Sequence, residues 1–308
     1  MNKNIFNILA AAMFVLGLAS CSSDEPSDVS IFPTDKQPTN EFDEWLLRNF
    51  TYPYNVQVTY RLNDIETDNN YTVVPADQVK AAKLAKLVKY MWFDAYDEVA
   101  GHEFLKTYAP RMIMMVGSGM YQSQGTVILG YATGSIKIAL CNVNNLEDET
   151  FRDIETLNSW YLSTLHHEFQ HILNQKVAYD RAFEAISQGD YVSGNWYQMR
   201  NEDSYDSDGN LVQGAYSLGF VRNYAMQEAA EDFAETMSDY IVYTDEKFEY
   251  IKKCAGGANS KGWLKIQEKI DFIRNYMQSA YNINIDELRT VVQRRAKEID
   301  KLDLEHLD

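Results

Sequence analysis

Leu165-His166-His167-Glu168-Phe169-Gln170-His171-Ile172-Leu173 carries three of the chain's five histidines within six residues, the last two of them four apart with a glutamate directly after the first. On an α-helix, positions four apart lie on one face about a turn from each other. His167 and His171 can then hold one ion between them, with Glu168 beside it. Zinc held by imidazoles lowers the pKa of water toward ~7, and a carboxylate in the Glu168 position can take its proton as the water attacks a carbonyl. His166 falls about 100° further round such a helix, on the side of Leu162, Phe169 and Leu173, and reads as a packed histidine. His102-Glu103 also pairs a histidine with a glutamate, but position 106 is Lys, so no metal-binding face follows.

Upstream of this helix, residues 111–116, 126–131 and 136–143 are short β-rich runs separated by glycine-containing turns, which predicts neighbouring strands of a sheet. Residues 54–62 alternate, with Val56, Val58, Tyr60 and Leu62 on one side, and read as a further strand. A helix follows Pro75, with Val79, Leu84, Val88, Met91 and Ala95 at helical spacing. The last of six prolines is Pro110, so helices can run uninterrupted over 149–176 and through most of 222–299. Between those two stretches lies a polar, aromatic insertion. Its Asp206-Ser207-Asp208-Gly209-Asn210 lacks EF-hand spacing and predicts a tight turn rather than a calcium loop. The expected class is α+β: a small mixed sheet, the histidine-bearing helix, then a mostly helical C-terminal half. One domain is expected over 41–300, followed by a tail over 301–308.

The first twenty residues read as a secretion signal: Lys3, an apolar run over 5–18, then Leu18-Ala19-Ser20-Cys21. That ending resembles a bacterial lipobox, with Cys21 as the lipidated residue and 21–40 as a tether. The resemblance implies an outer-membrane lipoprotein exposed at the cell surface and held to the membrane by its lipid. The acidic stretch 22–28 fits either a surface-sorting signal or a plain flexible linker. A formal charge of −17 argues against nucleic acid as a partner. Cys141 and Cys254 could pair in an oxidising compartment or remain thiols.

A catalytic zinc wants a third protein ligand and an open position. His102 and His306 are the remaining histidines, and positions 174 and 177, where a metzincin has Gly and His, are Asn174 and Val177. A carboxylate is the economical choice, and Glu228, Glu231 and Glu235 are spaced to share one helical face.

Tyr224 followed seven residues later by Glu231-Asp232-Phe233-Ala234-Glu235 resembles the lethal-factor branch of the gluzincins. The resemblance implies Glu231 as third zinc ligand, Tyr224 as donor to the reacting carbonyl and Glu235 as the acceptor that orients a liganding histidine. Across the chain, Leu18 to Cys21, Tyr54-Asn55-Val56, His166 to His171 and Glu231 to Glu235 resemble zinc-binding metallopeptidase lipoproteins of Gram-negative bacteria, implying a zincin-like fold. Glu228 with Asp232 also fits a thermolysin-style ExxxD, so Glu228 stays open as the ligand. The implied activity is hydrolysis of peptide or protein, glycoprotein included, with an extended substrate added to the strand at 136–143 as the sheet edge. Two other readings use the same residues: a surface glycan- or glycoprotein-binding lipoprotein with a structural or vestigial zinc site, its Tyr191, Trp196 and Tyr197 stacking on sugars, and a metal-dependent amidase or deacylase for non-peptide substrates.

Overall fold

The computed structural model describes residues 40–62, 71–121, 127–128, 130–133 and 136–307, so the leader, Cys21 and the tether up to residue 39 lie outside it. Helix α1 (Glu41–Leu46) starts where the Asn40 side chain accepts the Asp43 amide at 2.8 Å. It runs through a wide π turn (Leu47–Thr51) and a helical turn (Tyr52–Tyr54) that Asn55 ends in the left-handed region at φ 56°. Strand β1 is therefore only Gln57–Thr59, shorter than the expected 54–62. Pro53 suits the first turn of a helix and Asn tolerates positive φ, which is why the alternation starts later. Val56, Val58 and Tyr60 still point inward and are buried.

Helix α2 (Gln78–Val88) is capped by Asp77, whose carboxylate accepts the Val79 and Lys80 amides at 3.0 Å. Leu84 and Val88 are buried as their spacing predicts, but Val79 is 61% exposed, and Ala81 supplies the inward position in that turn. A second wide turn (Lys89–Phe93) leads to α3 (Asp94–Ala100) and α4 (His102–Tyr108). Next come β2 (Met112–Met115), β3 (Met120–Tyr121), β4 (Val127–Ile128), β5 (Gly130–Thr133) and β6 (Lys137–Leu140). The run 126–131 thus splits: β4 pairs with β3, and Gly130 begins a separate strand that pairs with β6.

The main sheet has the order β1-β2-β6-β5, with β1, β2 and β6 parallel and β5 antiparallel to β6. This corrects the expected edge. The strand from the 136–143 run is interior, between β2 and β5, and β1 and β5 are the outer strands among the described residues. The physical sign is its burial on both faces. Ile138 and Leu140 enter the main core, while Ala139 and Cys141 pack with Met114, Val116 and Met120 on the other side.

After α5 (Ile154–Leu157) and a third wide turn (Asn158–Leu162), the chain enters α6 (Ser163–Lys176). The insertion contains α7 (Ala182–Ile186), a hairpin of β7 (Ser204–Tyr205) and β8 (Leu211–Val212), and α8 (Ala215–Leu218). The tight turn expected at 206–210 joins the hairpin: the Asp206 carboxylate accepts the Asp208 and Asn210 amides, and Gly209 takes φ 81°. Helices α9 (Ala229–Val242), α10 (Asp245–Cys254), α11 (Lys261–Tyr281) and α12 (Ile285–Lys297) complete the chain, giving the α+β architecture expected. Leu304, in the segment read as a tail, is buried against the main core. Cys141 and Cys254 are both free thiols.

Candidate metal centre

Leu165, Phe169, Ile172 and Leu173 fall on one side of α6 and are buried, which presses that side into the core. Phe169 meets Trp92 and Tyr96 edge-on at 5.1 and 5.3 Å between ring centroids. His166 goes with them: it is buried, its Nδ1 lies 3.2 Å from the Tyr96 hydroxyl, and burial pushes its pKa down to about 3. It is therefore a neutral packed ring, outside the group formed by His167, His171 and Glu231. Thr164 abuts β5 so closely that a Cβ on Gly130 would stand 2.5 Å from its methyl carbon, so glycine is what lets the outer strand lie against this helix. At the other end, the Tyr276 hydroxyl donates to the Val177 carbonyl at 2.6 Å and the Tyr281 hydroxyl to that of Leu173, fastening α11 to the helix exit.

The opposite side of α6 faces α9. His167 Nε2 and His171 Nε2 are 3.0 Å apart, and Glu231 Oε2 lies 3.1 Å from the first and 3.4 Å from the second. The three atoms form a cluster of possible metal ligands. Glu231 Oε2 is buried and has no hydrogen-bond partner. His167 presents its other nitrogen, Nδ1, to Glu235 Oε1 at 2.8 Å. With the ring proton on that side, three lone pairs converge on one point with no proton among them. Two imidazoles and a carboxylate are a donor set suited to zinc, and the orphaned buried oxygen is what a cation would satisfy, so the residues fit that group. The electrostatics favour positive charge at this point: burial opposes a charged His167, but the Glu231 and Glu235 carboxylates outweigh it and push the ring up to about 10, so a metal ion bound there takes the place of a proton on Nε2. Burial likewise disfavours ionised Glu231, yet the two histidines hold its carboxyl below the usual range.

Glu168, half-buried on the same helix, adds its charge to those acting on both His167 and Tyr224. Tyr224 lies in a short 3-10 turn (Tyr224–Met226), its ring centroid 6.0 Å from that of His167 and 4.8 Å from that of Trp196. Burial and then the Glu231 and Glu235 carboxylates raise its hydroxyl well above the ordinary phenol range, which keeps it a proton-bearing donor. The insertion braces this turn: Val192 donates its amide to the Met226 carbonyl, and the Asn223 amide donates to the Asn201 side chain. Of the aromatics read as sugar-stacking, Trp196 packs on Tyr224, Tyr191 donates to Asp232 at 3.0 Å, and Tyr197 is exposed.

Glu228 is not on the shared helical face that its spacing suggested. It is the extended residue just before α9, at φ −165°, and it is exposed. It lines a cavity of about 510 Å³ with Tyr179, Arg181, Glu184 and Tyr191, outside the donor cluster. The helix simply begins one residue too late for the 228, 231, 235 register.

A model of the family described as "Putative zinc-binding metallo-peptidase" matches residues 35–286. The chain belongs to that family. A crystal structure of a "putative zinc-binding metallo-peptidase" from Bacteroides caccae is similar to it, with 35% identity, coverage of 91% of this chain and 100% of that one, and a TM-score of 0.73. No curated protein matches.

In this zinc-binding metallo-peptidase family member, two charge groups around the cluster escaped the sequence reading. Arg222 reaches both Glu235 and Asp239, and its Nη2 donates to Ser163 Oγ at 2.8 Å. Lys269 on α11 lies 2.7 Å from Asp232, and neither side chain is solvent-exposed. A lone Arg and a lone Lys carry no motif, so only their partners' burial could have marked them.

Proposed function

We propose that the protein is a zinc-dependent peptidase in which His167, His171 and Glu231 hold the metal. The observation that carries this reading is the convergence of His167 Nε2, His171 Nε2 and Glu231 Oε2 within 3.0 to 3.4 Å, beside a glutamate that a purely structural site would not need. A zinc ion held there supplies Lewis acidity, polarising a carbonyl and acidifying water. Glu168 takes the proton of the attacking water and returns it to the leaving amine. Tyr224, kept protonated by its surroundings, donates to the carbonyl oxygen as negative charge grows on it. Glu235 accepts from His167 Nδ1 and holds that ring with Nε2 toward the metal. The outer strand β5, lying against α6, is the edge on which an extended peptide would add.

The substrate class is peptide or protein. The reading includes lipidation at Cys21 and display from the outer membrane, which rests on the sequence from Leu18 to Cys21. The test is cleavage of a proteome-derived peptide library by the zinc-loaded protein beside Glu168→Ala, read by mass spectrometry. Bonds cut by the wild type and left intact by the variant are the expected result. A wild type that binds one zinc per chain and cuts no peptide would overturn the peptidase reading.

A further inference from the structure

The side chain that reaches most elements of the centre is none of its ligands. Arg222 precedes Tyr224 by two residues and is surrounded by groups from both helices. Its guanidinium Nε contacts Glu235 Oε2 and donates to Asp239 Oδ2 at 2.9 Å, while Nη2 serves Asp239 Oδ1 and, at 2.8 Å, Ser163 Oγ at the start of α6. Ser163 in turn donates to Asp239 Oδ1 at 3.2 Å. Glu235 thus has its two oxygens divided, Oε2 for Arg222 and Oε1 for His167 Nδ1. The fork itself, Nε and Nη2, is spent on Asp239, so Glu235 meets the guanidinium as a charge: Oε2 is drawn to Nε, which leaves Oε1 as the oxygen turned to His167. Asp239 fixes the fork and Ser163 ties it to the helix that carries the histidines.

We propose that Arg222 is a positioning residue for the metal centre, acting through Glu235: it sets the carboxylate that sets the His167 ring. This rests on the reading of His167, His171 and Glu231 as metal ligands. The chain of contacts also explains why Tyr224 sits where it does, since the same guanidinium anchors the segment leading into its turn.

The experiment is a double-mutant cycle on the full chain, with Arg222→Met, Glu235→Gln and the pair. Zinc affinity is read by competition with a chromophoric chelator, and ligand geometry by the visible bands of the cobalt(II)-substituted protein. Each single change is expected to weaken zinc binding by roughly 10- to 100-fold and to alter the cobalt bands, as loss of groups that orient ligands does. The double variant should bind no more weakly than the worse single one, because Arg222 acts only through Glu235. Arg222→Lys keeps the charge without the fork and should recover part of the affinity. If Arg222→Met does not fold, the cycle is run with Arg222→Lys and the same non-additivity is expected. Losses that multiply in the double variant overturn the inference, and so does a folded Arg222→Met protein of lower thermal stability with wild-type zinc affinity and cobalt bands. A wild type that binds neither zinc nor cobalt overturns the reading of the site and this inference with it. A wild type that binds both, beside an Arg222→Met protein that binds them equally, overturns the inference alone.

Discussion

Glu231 and Asp232 are neighbours on α9, yet one turns to α6, where its Oε2 meets the two histidine nitrogens, and the other to α11, where Lys269 waits 2.7 Å away. Asp232 is fully served: Tyr191 and Thr236 also donate to it, and Lys269 additionally donates to the Gly219 carbonyl at 2.7 Å. Toward α6, acceptors outnumber cations, with Glu168, Glu231, Glu235 and Asp239 gathered around Arg222 and two imidazoles. Crowded buried carboxylates are costly unless positive charge meets them, and a cation on this face would add to what Arg222 and the imidazoles supply. The balanced face of α9 holds the helix in place, and the unbalanced face is the one that can take up a cation.

The sharpest break in that contrast comes from removing a donor. His171→Ala is expected to abolish stoichiometric zinc uptake, checked by metal analysis after dialysis, and peptide cleavage should go with it. Glu168→Gln should lower kcat by about 10²- to 10⁴-fold with zinc still at one per chain, separating metal holding from proton transfer. On the balanced face, Lys269→Met strands Asp232 in the interior and should cost about 3–5 kcal/mol in urea unfolding, while the protein that remains folded keeps its zinc. Loss of zinc before loss of fold in that variant would break the comparison. Tyr224→Phe removes one donor to the carbonyl oxygen and should cost about 10²- to 10³-fold in kcat with little change in zinc affinity. The smallest effect is expected at Glu228→Gln, within about 0.5 kcal/mol in stability and without change in zinc affinity. A loss of zinc there would move the third ligand from Glu231 to Glu228.

The class of fold and half of the centre could be read without coordinates because their causes are local. Helical spacing within α6 puts His167 and His171 on one side and Leu165, Phe169 and Leu173 on another, and that division holds whatever the rest of the chain does. It also consigned His166 to the core. Where a reading depended on a boundary it shifted: one residue at the start of α9 moved Glu228 off the face, and Asn55 delayed β1. Strand order was not legible either, since the burial of the 136–143 run on both sides depends on which strands come to flank it. The roughly sixty residues between His171 and Glu231 could bring either carboxylate to the histidines as far as spacing goes. The sequence by itself determined the two imidazoles, the glutamate between them and a helix to carry them. The tertiary structure decided which carboxylate joins them, that Arg222 and Asp239 stand behind Glu235, and that Lys269 answers Asp232. Those choices are made by packing α6, α9 and α11 together, where each buried charge must meet its partner across space.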